Sequence, residues 1–177
     1  MYKSLYDVLL ERGFSQTEIN QFLKAKEKGL IIPRDVQDVD TIRNFRHFCS
    51  KAKCENSLPK QKLILNGLLN HLDVSKYAKP EYEISYMREI FIGLSNGVDI
   101  TEYCKNTDNW YYVENVRLAL MNGINNSDAF EYMKSAFDKF HDTEITEEIR
   151  FCLEKGIGLD KIKKCKTSAE LRNLRKK

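Results

Sequence analysis

The residues able to do chemistry lie far apart in this chain, and their spacings argue against a shared reaction. Candidate metal ligands are confined to His47-x-Cys49 with Cys54. A zinc centre needs four tetrahedral ligands, ordinarily paired by a short Cys-x-x-Cys or His-x-x-x-His step. This spacing fits neither, and no fourth ligand is evident, so helix core or edge positions explain these residues better. Nucleophilic catalysis asks for a cysteine or serine beside a histidine. His47, His71 and His141 stand in unrelated contexts, and none belongs to a triad motif. Asp73 and Asp99 do recur at matched positions, as a paired acid and base could. Both stand where a new helix begins, however, where a carboxylate caps free N–H groups. The glycines are spaced as helix stops and form no phosphate-cradling loop. The expectation is a protein with no catalytic residue, metal or cofactor; an enzyme of unrecognised type is the alternative furthest from the residues.

Two groups suit binding instead. Asn109-Trp110-Tyr111-Tyr112 concentrates aromatic surface between two helices, and Trp and Tyr are the types favoured at interface hot spots. Trp110, Tyr111 and Tyr112 are therefore the candidate partner-binding residues. The competing expectation, favoured because Trp is highly buried on average, is that Trp110 and Tyr112 pack between adjacent repeats. The second group is basic. Lys161, Lys163, Lys164, Lys166, Arg172, Arg175, Lys176 and Lys177 face a single acidic residue, Glu170. Between Ser57 and Asp142 the balance reverses, with nine basic and twelve acidic residues. Such a basic terminus can contact nucleic acid or an acidic protein surface. A solvated, frayed terminus is the alternative.

These groups must be positioned by helices, because a helix-stop motif recurs five times. Its anchors are Gly29, His71, Gly97, Gly123 and Gly156, the middle three spaced 26 residues apart. Four residues earlier stands a small or fairly small residue: Ala25, Gly67, Gly93, Ala119 or Cys152. Three before that is a large apolar one, and another apolar residue follows the anchor. These offsets share one helix face. Glycine past the last turn accepts the left-handed closure, and the small residue lets a neighbouring helix approach. His71 breaks the pattern, which leaves open a different ending for its helix.

After the stops, Asp73-Val74-Ser75, Asp99-Ile100-Thr101 and Asn125-Asn126-Ser127 are expected to cap short second helices. A longer one is expected from Asp128 to Phe140, and an additional helix from about Asp40 to Lys53, with Ile42, Phe45, Phe48 and Cys49 on one side. Towards the N-terminus, Tyr2 to Arg12 and a capping box at Ser15–Glu18 read as a helical hairpin. Self-similarity at this period marks a stacked repeat protein. The predicted fold is all-α: stacked short helix-turn-helix repeats, a small α-solenoid-like array. Residues 1–56 form an N-terminal helical region, 57–160 the array, and 161–177 a basic tail or capping helix.

At 177 residues, 42% hydrophobic and 31% charged, the chain suits one sizeable soluble body. It holds no apolar run long enough to span a membrane. Its five cysteines, an odd and sparse set, suit a reducing cytosol rather than a disulfide scaffold.

The strings GLLNHLDVSKYAKPEYEISYM (67–87) and GLSNGVDITEYC (93–104) add a family. They resemble a short helical repeat of the form I-R-x-G-L-x-x-G-L-D-V-S-x-Y-A-x-P-x-F, found in proteins of mobile elements and phages of gut Gram-positive bacteria. The match is good over Ile64 to Tyr103, decays through Ser127, and is faint in the last copy, where Gly158 replaces the aspartate. It covers about a third of the chain and brings no catalytic residues with it. The resemblance implies a mobile-element setting in the cytoplasm of a bacterial host. It also implies a small protein that blocks a host defence nuclease, of the anti-CRISPR or antirestriction type, by direct binding. The partner would be that nuclease or a nuclease–nucleic acid complex.

Overall fold

Helix is the only regular structure among the residues that the computed structural model describes, namely 4–31, 39–105, 107, 109–140, 142 and 144–177. Tyr2 and His141, which figured in the sequence reading, lie outside them. Ten α-helices follow in order: α1 (Leu5–Glu11), α2 (Gln16–Glu27), α3 (Val39–Lys51), α4 (Leu58–Leu69), α5 (Ile84–Ser95), α6 (Trp110–Met121), α7 (Ser127–Phe140), α8 (Ile145–Glu154), α9 (Leu159–Ile162) and α10 (Ser168–Lys176). A single 3₁₀ turn, Val74–Lys76, follows α4. None of these helices is long and apolar enough to cross a membrane.

Seven helices close by the same hydrogen-bonded device, two more than the five anchors. At the end of α5, Gly97 N–H donates to Leu94 O (3.1 Å) and Val98 N–H reaches back to Gly93 O (2.8 Å). This is the Schellman pairing, and it needs a positive φ at the anchor, which at Gly97 is 76°. The same pair of bonds closes α1, α2, α6 and α8 at glycine. His71, whose helix could have ended otherwise, closes α4 identically with φ 56°. Lys53 does the same for α3 with φ 50°, an anchor that a glycine pattern does not reveal. The usable signal at both is the apolar residue that follows, Leu72 or Cys54, which folds back over the last turn. A β-carbon in this conformation costs on the order of 1 kcal/mol. His71→Gly is therefore expected to raise stability by about 0.5–1 kcal/mol, somewhat offset by unfolded-chain entropy; a denaturant melt checks it.

At the two glycines among them, the small residues serve a purpose beyond the one expected. They admit the chain's own return as well as a neighbouring helix. A Cβ at Gly67 would overlap the Tyr77 hydroxyl and lie 3.0 Å from Val74 Cγ2. At Gly93 it would stand 2.7 Å from Val98 O, with Arg117 Cδ of α6 further off at 3.8 Å. Tyr77 is fully buried, and its hydroxyl donates to Leu63 O (3.0 Å).

The expected second helices form only in part. Asp73 Oδ1 accepts from the Ser75 amide (3.2 Å) and Asp99 Oδ1 from the Thr101 amide (3.0 Å). Each holds a local turn, a 3₁₀ turn after Asp73 and an irregular turn after Asp99, and neither starts an α-helix. An acceptor two residues back favours such turns over helix. Asn126 does cap α7, accepting from Ala129 N–H (3.0 Å). At the other end, the Ser15–Glu18 capping box opens α2 as read, and a second box, Ser4–Asp7, opens α1.

The described chain divides into two compact units, Met1–Phe91 and Ile92–Lys177, with the boundary inside α5. In the first, α1 to α4 pack in sequence around Ile19, Ile42, Phe45 and Ile64. In the second, α8 packs on α6, α7, α9 and α10, around Tyr112, Val116, Phe130, Met133, Ile149 and Leu171. Residues 161–177 are thus mostly helical, with Ile162 and Leu171 buried.

Candidate functional site

The second unit carries a cleft of about 400 Å³ between α6 and the start of α8. Asn109 sets the register of α6, its Oδ1 accepting from Tyr112 N–H (3.2 Å). From that start, Tyr112, Val113, Val116 and Ala119 turn into the core. Tyr111, Glu114, Asn115 and Leu118, spaced three and four apart, line the cleft. Glu144, Glu147 and Arg150 line it from α8 and the residue before it. Three carboxylates thus share the walls with one guanidinium.

The walls are held by a buried polar network. Arg150 is 7% exposed. Its Nε donates to Asn115 Oδ1 (2.9 Å) and its Nη1 to Glu154 Oε1 (2.6 Å). Asn115 Nδ2 in turn donates to Tyr111 O (2.9 Å) and weakly to Thr146 Oγ1 (3.4 Å). A buried arginine stands only when paired and hydrogen-bonded, and here both conditions are met across two helices. The guanidinium also lies 4.1 Å from the Phe151 ring centroid, and that of Arg175 lies 4.6 Å from it.

The three aromatic candidates separate. Tyr112 is core, 1% exposed, so its ring offers no surface to a partner. Trp110 is 37% and Tyr111 45% exposed, and their rings stack with centroids 3.9 Å apart. Trp110 therefore does not pack away as tryptophan commonly does. It lies in the first turn of α6, where Tyr112 rather than Trp110 points inward. The tyrosines four residues after Asp73 and Asp99 pack instead against rings: Tyr77 meets Phe91 edge-on (6.3 Å), and the partly exposed Tyr103 meets Phe130 (5.3 Å).

The basic candidates separate too. Arg172 bridges Glu148 (2.9 Å) and Glu144 (2.7 Å) and has its pKa raised, first by the Glu148 hydrogen bond and then by that to Glu144. Arg175 Nη2 lies 3.1 Å from Glu148 Oε2, off the axis of a good hydrogen bond. These two arginines dock α10 on α8. Lys161, Lys163, Lys164, Lys166, Lys176 and Lys177 are exposed, Lys163 lying 5.9 Å from the Tyr132 ring. Sequence reasoning missed Glu148, Arg150 and Asn115, because charged and amide side chains in a helix ordinarily mark its solvated face.

Asp142 joins α10 to the start of α8, accepting from Ser168 N–H (2.8 Å) and Glu144 N–H (3.0 Å). Burial pushes its pKa up, but the Ser168 and Glu144 hydrogen bonds and Arg172 outweigh that and hold it below the ordinary 3.8. A depressed folded pKa stabilises above the unfolded value and is lost as pH falls through the folded one. Docking of α10 should weaken only below about pH 3.8, by under about 1 kcal/mol since the carboxyl is mostly solvated. Amide exchange in α10, followed against pH in the parent and in Asp142→Asn, checks this.

The weak metal candidates do not assemble. Among the described residues no three His, Cys, Asp or Glu side chains group as metal ligands. His47 is exposed, while Cys49 and Cys54 are buried together. The Cys49 thiol, hydrogen-bonded to Cys54 and desolvated, has its pKa pushed up, which makes it a poor nucleophile. Compared with family models, curated proteins and solved structures, the chain matches none.

Proposed function

We propose that this chain is a non-catalytic helical binding protein that grips a protein partner at the α6–α8 cleft. Short helix-turn-helix repeats, stacked in sequence within each unit, would supply its frame. The carrying observation is the Trp110–Tyr111 stack, standing in solvent at the rim of a cleft whose walls are tied by Arg150 and Asn115. Rigid aromatic surface bordered by charged groups is what interface anchors are made of. Binding of this kind needs no active site. Taken with the family resemblance at residues 64–103, it supports an inhibitor of a host defence nuclease, of the anti-CRISPR or antirestriction type.

Nucleic-acid binding through the C-terminal lysines is the second reading. Its support is the row of exposed lysines on and around α9 and α10. It is weakened by Arg172 and Arg175, the best phosphate ligands of the group, being engaged with Glu144 and Glu148. The two readings separate when the full chain is used as bait in bacterial lysate, with and without nuclease digestion of the lysate. A nuclease subunit retained after digestion and at high salt supports the first. Retention of nucleic acid alone, falling steeply with salt, supports the second, since phosphate contacts release counterions.

A further inference from the structure

We infer that the α6–α8 cleft is a receptor for an arginine side chain of the partner, resting on the protein-binding reading above. The wall chemistry selects a cation. Glu114, Glu144 and Glu147 face Arg150, whose Nε and Nη1 are directed at Asn115 and Glu154 and whose Nη2 lies 3.9 Å from Glu147. Arg172 reaches Glu144 from outside the lining, so three carboxylates still outnumber two guanidinium groups. An anion entering would meet an excess of like charge. A guanidinium would meet complementary charge in a partly desolvated site, where it counts for more.

The rim selects which cation. Tyr111 lines the cleft and Trp110 stacks on it, 25° from parallel, so a flat aromatic surface adjoins the carboxylates. A planar guanidinium stacks on such a ring and bonds carboxylates through its fork, whereas a lysine ammonium is compact and strongly hydrated. Leu118 gives the methylene stem an apolar contact. The volume falls at the small end of ligand clefts, which run from about 300 to 1,000 Å³, so it suits a side chain better than a folded element. The same unit already uses this chemistry internally. Arg150 lies against the Phe151 ring while its fork meets Glu154 and Asn115, and the cleft offers an incoming arginine a comparable set of groups.

Trp110 is the chain's single tryptophan, so its fluorescence reports on the rim directly. The probes are three capped tripeptides, Gly-Arg-Gly, Gly-Lys-Gly and Gly-citrulline-Gly, titrated into the full-length protein. The arginine peptide should give a saturable change, and the other two should bind at least about tenfold more weakly, the scale of one charge-assisted contact. Glu147→Gln should weaken the arginine peptide by about tenfold. Glu147 is half exposed, so the variant's melt should match the parent and exclude misfolding as the cause. Equal binding of the citrulline or lysine peptide, no saturable change, or an unaffected Glu147→Gln would each overturn the inference. Capture of a protein partner that is lost in Tyr111→Ala but unchanged in Glu147→Gln would also overturn it, while leaving the protein-binding reading standing. An arginine peptide that saturates although no protein is captured supports the cleft assignment and counts against that reading alone.

Discussion

Gly67→Leu and Gly93→Leu are expected to melt well below the parent, each losing about 3 kcal/mol, the top of the usual overpacking range. At 2–4 °C per kcal/mol for a chain of this size, that is roughly 6–12 °C. The cost is high because neither obstacle can yield. At Gly93 the added Cβ meets backbone, Val98 O at 2.7 Å, and that segment is tied to Gly93 by the closure of α5. At Gly67 it meets a tyrosine that is fully enclosed, and moving the ring breaks the bond from its hydroxyl to Leu63 O. Gly97 has nothing within 4 Å of an added Cβ. Gly97→Val should therefore lose only the backbone term, about 1–2 kcal/mol. Calorimetric melts of the three variants check the order, and a Gly93→Leu that matched Gly97→Val would refute the packing role of Gly93.

Arg150→Ala is expected to be the most damaging change at the cleft, at about 3 kcal/mol. Removing one partner of a buried charged network leaves the others desolvated and unpaired, at about 3–5 kcal/mol in the fully buried case. The lower figure applies because Glu154 is 23% exposed and keeps the Asn122 amide at 2.8 Å. Asn115 Oδ1 has no such relief in its buried position. The double variant Arg150→Leu with Asn115→Leu should recover most of the loss, since apolar replacement of both partners removes the orphan. A double-mutant cycle in denaturant measures the coupling, and losses that simply add would show that the two residues do not act together.

How much of this was legible in the residues depended on range. Helix closure is local, so the apolar–small–glycine–apolar spacing marked five ends, and the same spacing explains why His71 obeys the rule without being glycine. Lys53 escaped because its residue type gave no sign. Its small and apolar neighbours, Cys49 and Cys54, did carry the pattern. Caps were legible as chemistry and less so as consequence: Asp99 bonds Thr101 as an aspartate should, yet starts a turn instead of a helix. The cleft was legible only as the aromatic run Trp110–Tyr111–Tyr112, and the residues did not tell which of the three would face solvent. Asn115 and Arg150 lie 35 residues apart, and Glu148 and Arg172 lie 24 apart. No periodicity links partners at such separations, and a charged residue inside a folded contact has the same letter as one in water.

The central claim is that the partner is gripped at the aromatic rim of the cleft and not through the basic terminus. Its most direct test is the affinity of the captured partner for three proteins across a salt series. These are the parent, Trp110→Ala with Tyr111→Ala, and Lys163→Ala with Lys164→Ala and Lys166→Ala. The aromatic variant is expected to bind on the order of 100-fold more weakly at every salt, as loss of an interface hot spot does. The lysine variant should differ from the parent only at low salt, where the Debye length grows well beyond the about 8 Å of physiological conditions and exposed charges reach further. An aromatic variant that binds as the parent does, beside a lysine variant that loses binding throughout the series, would contradict the claim.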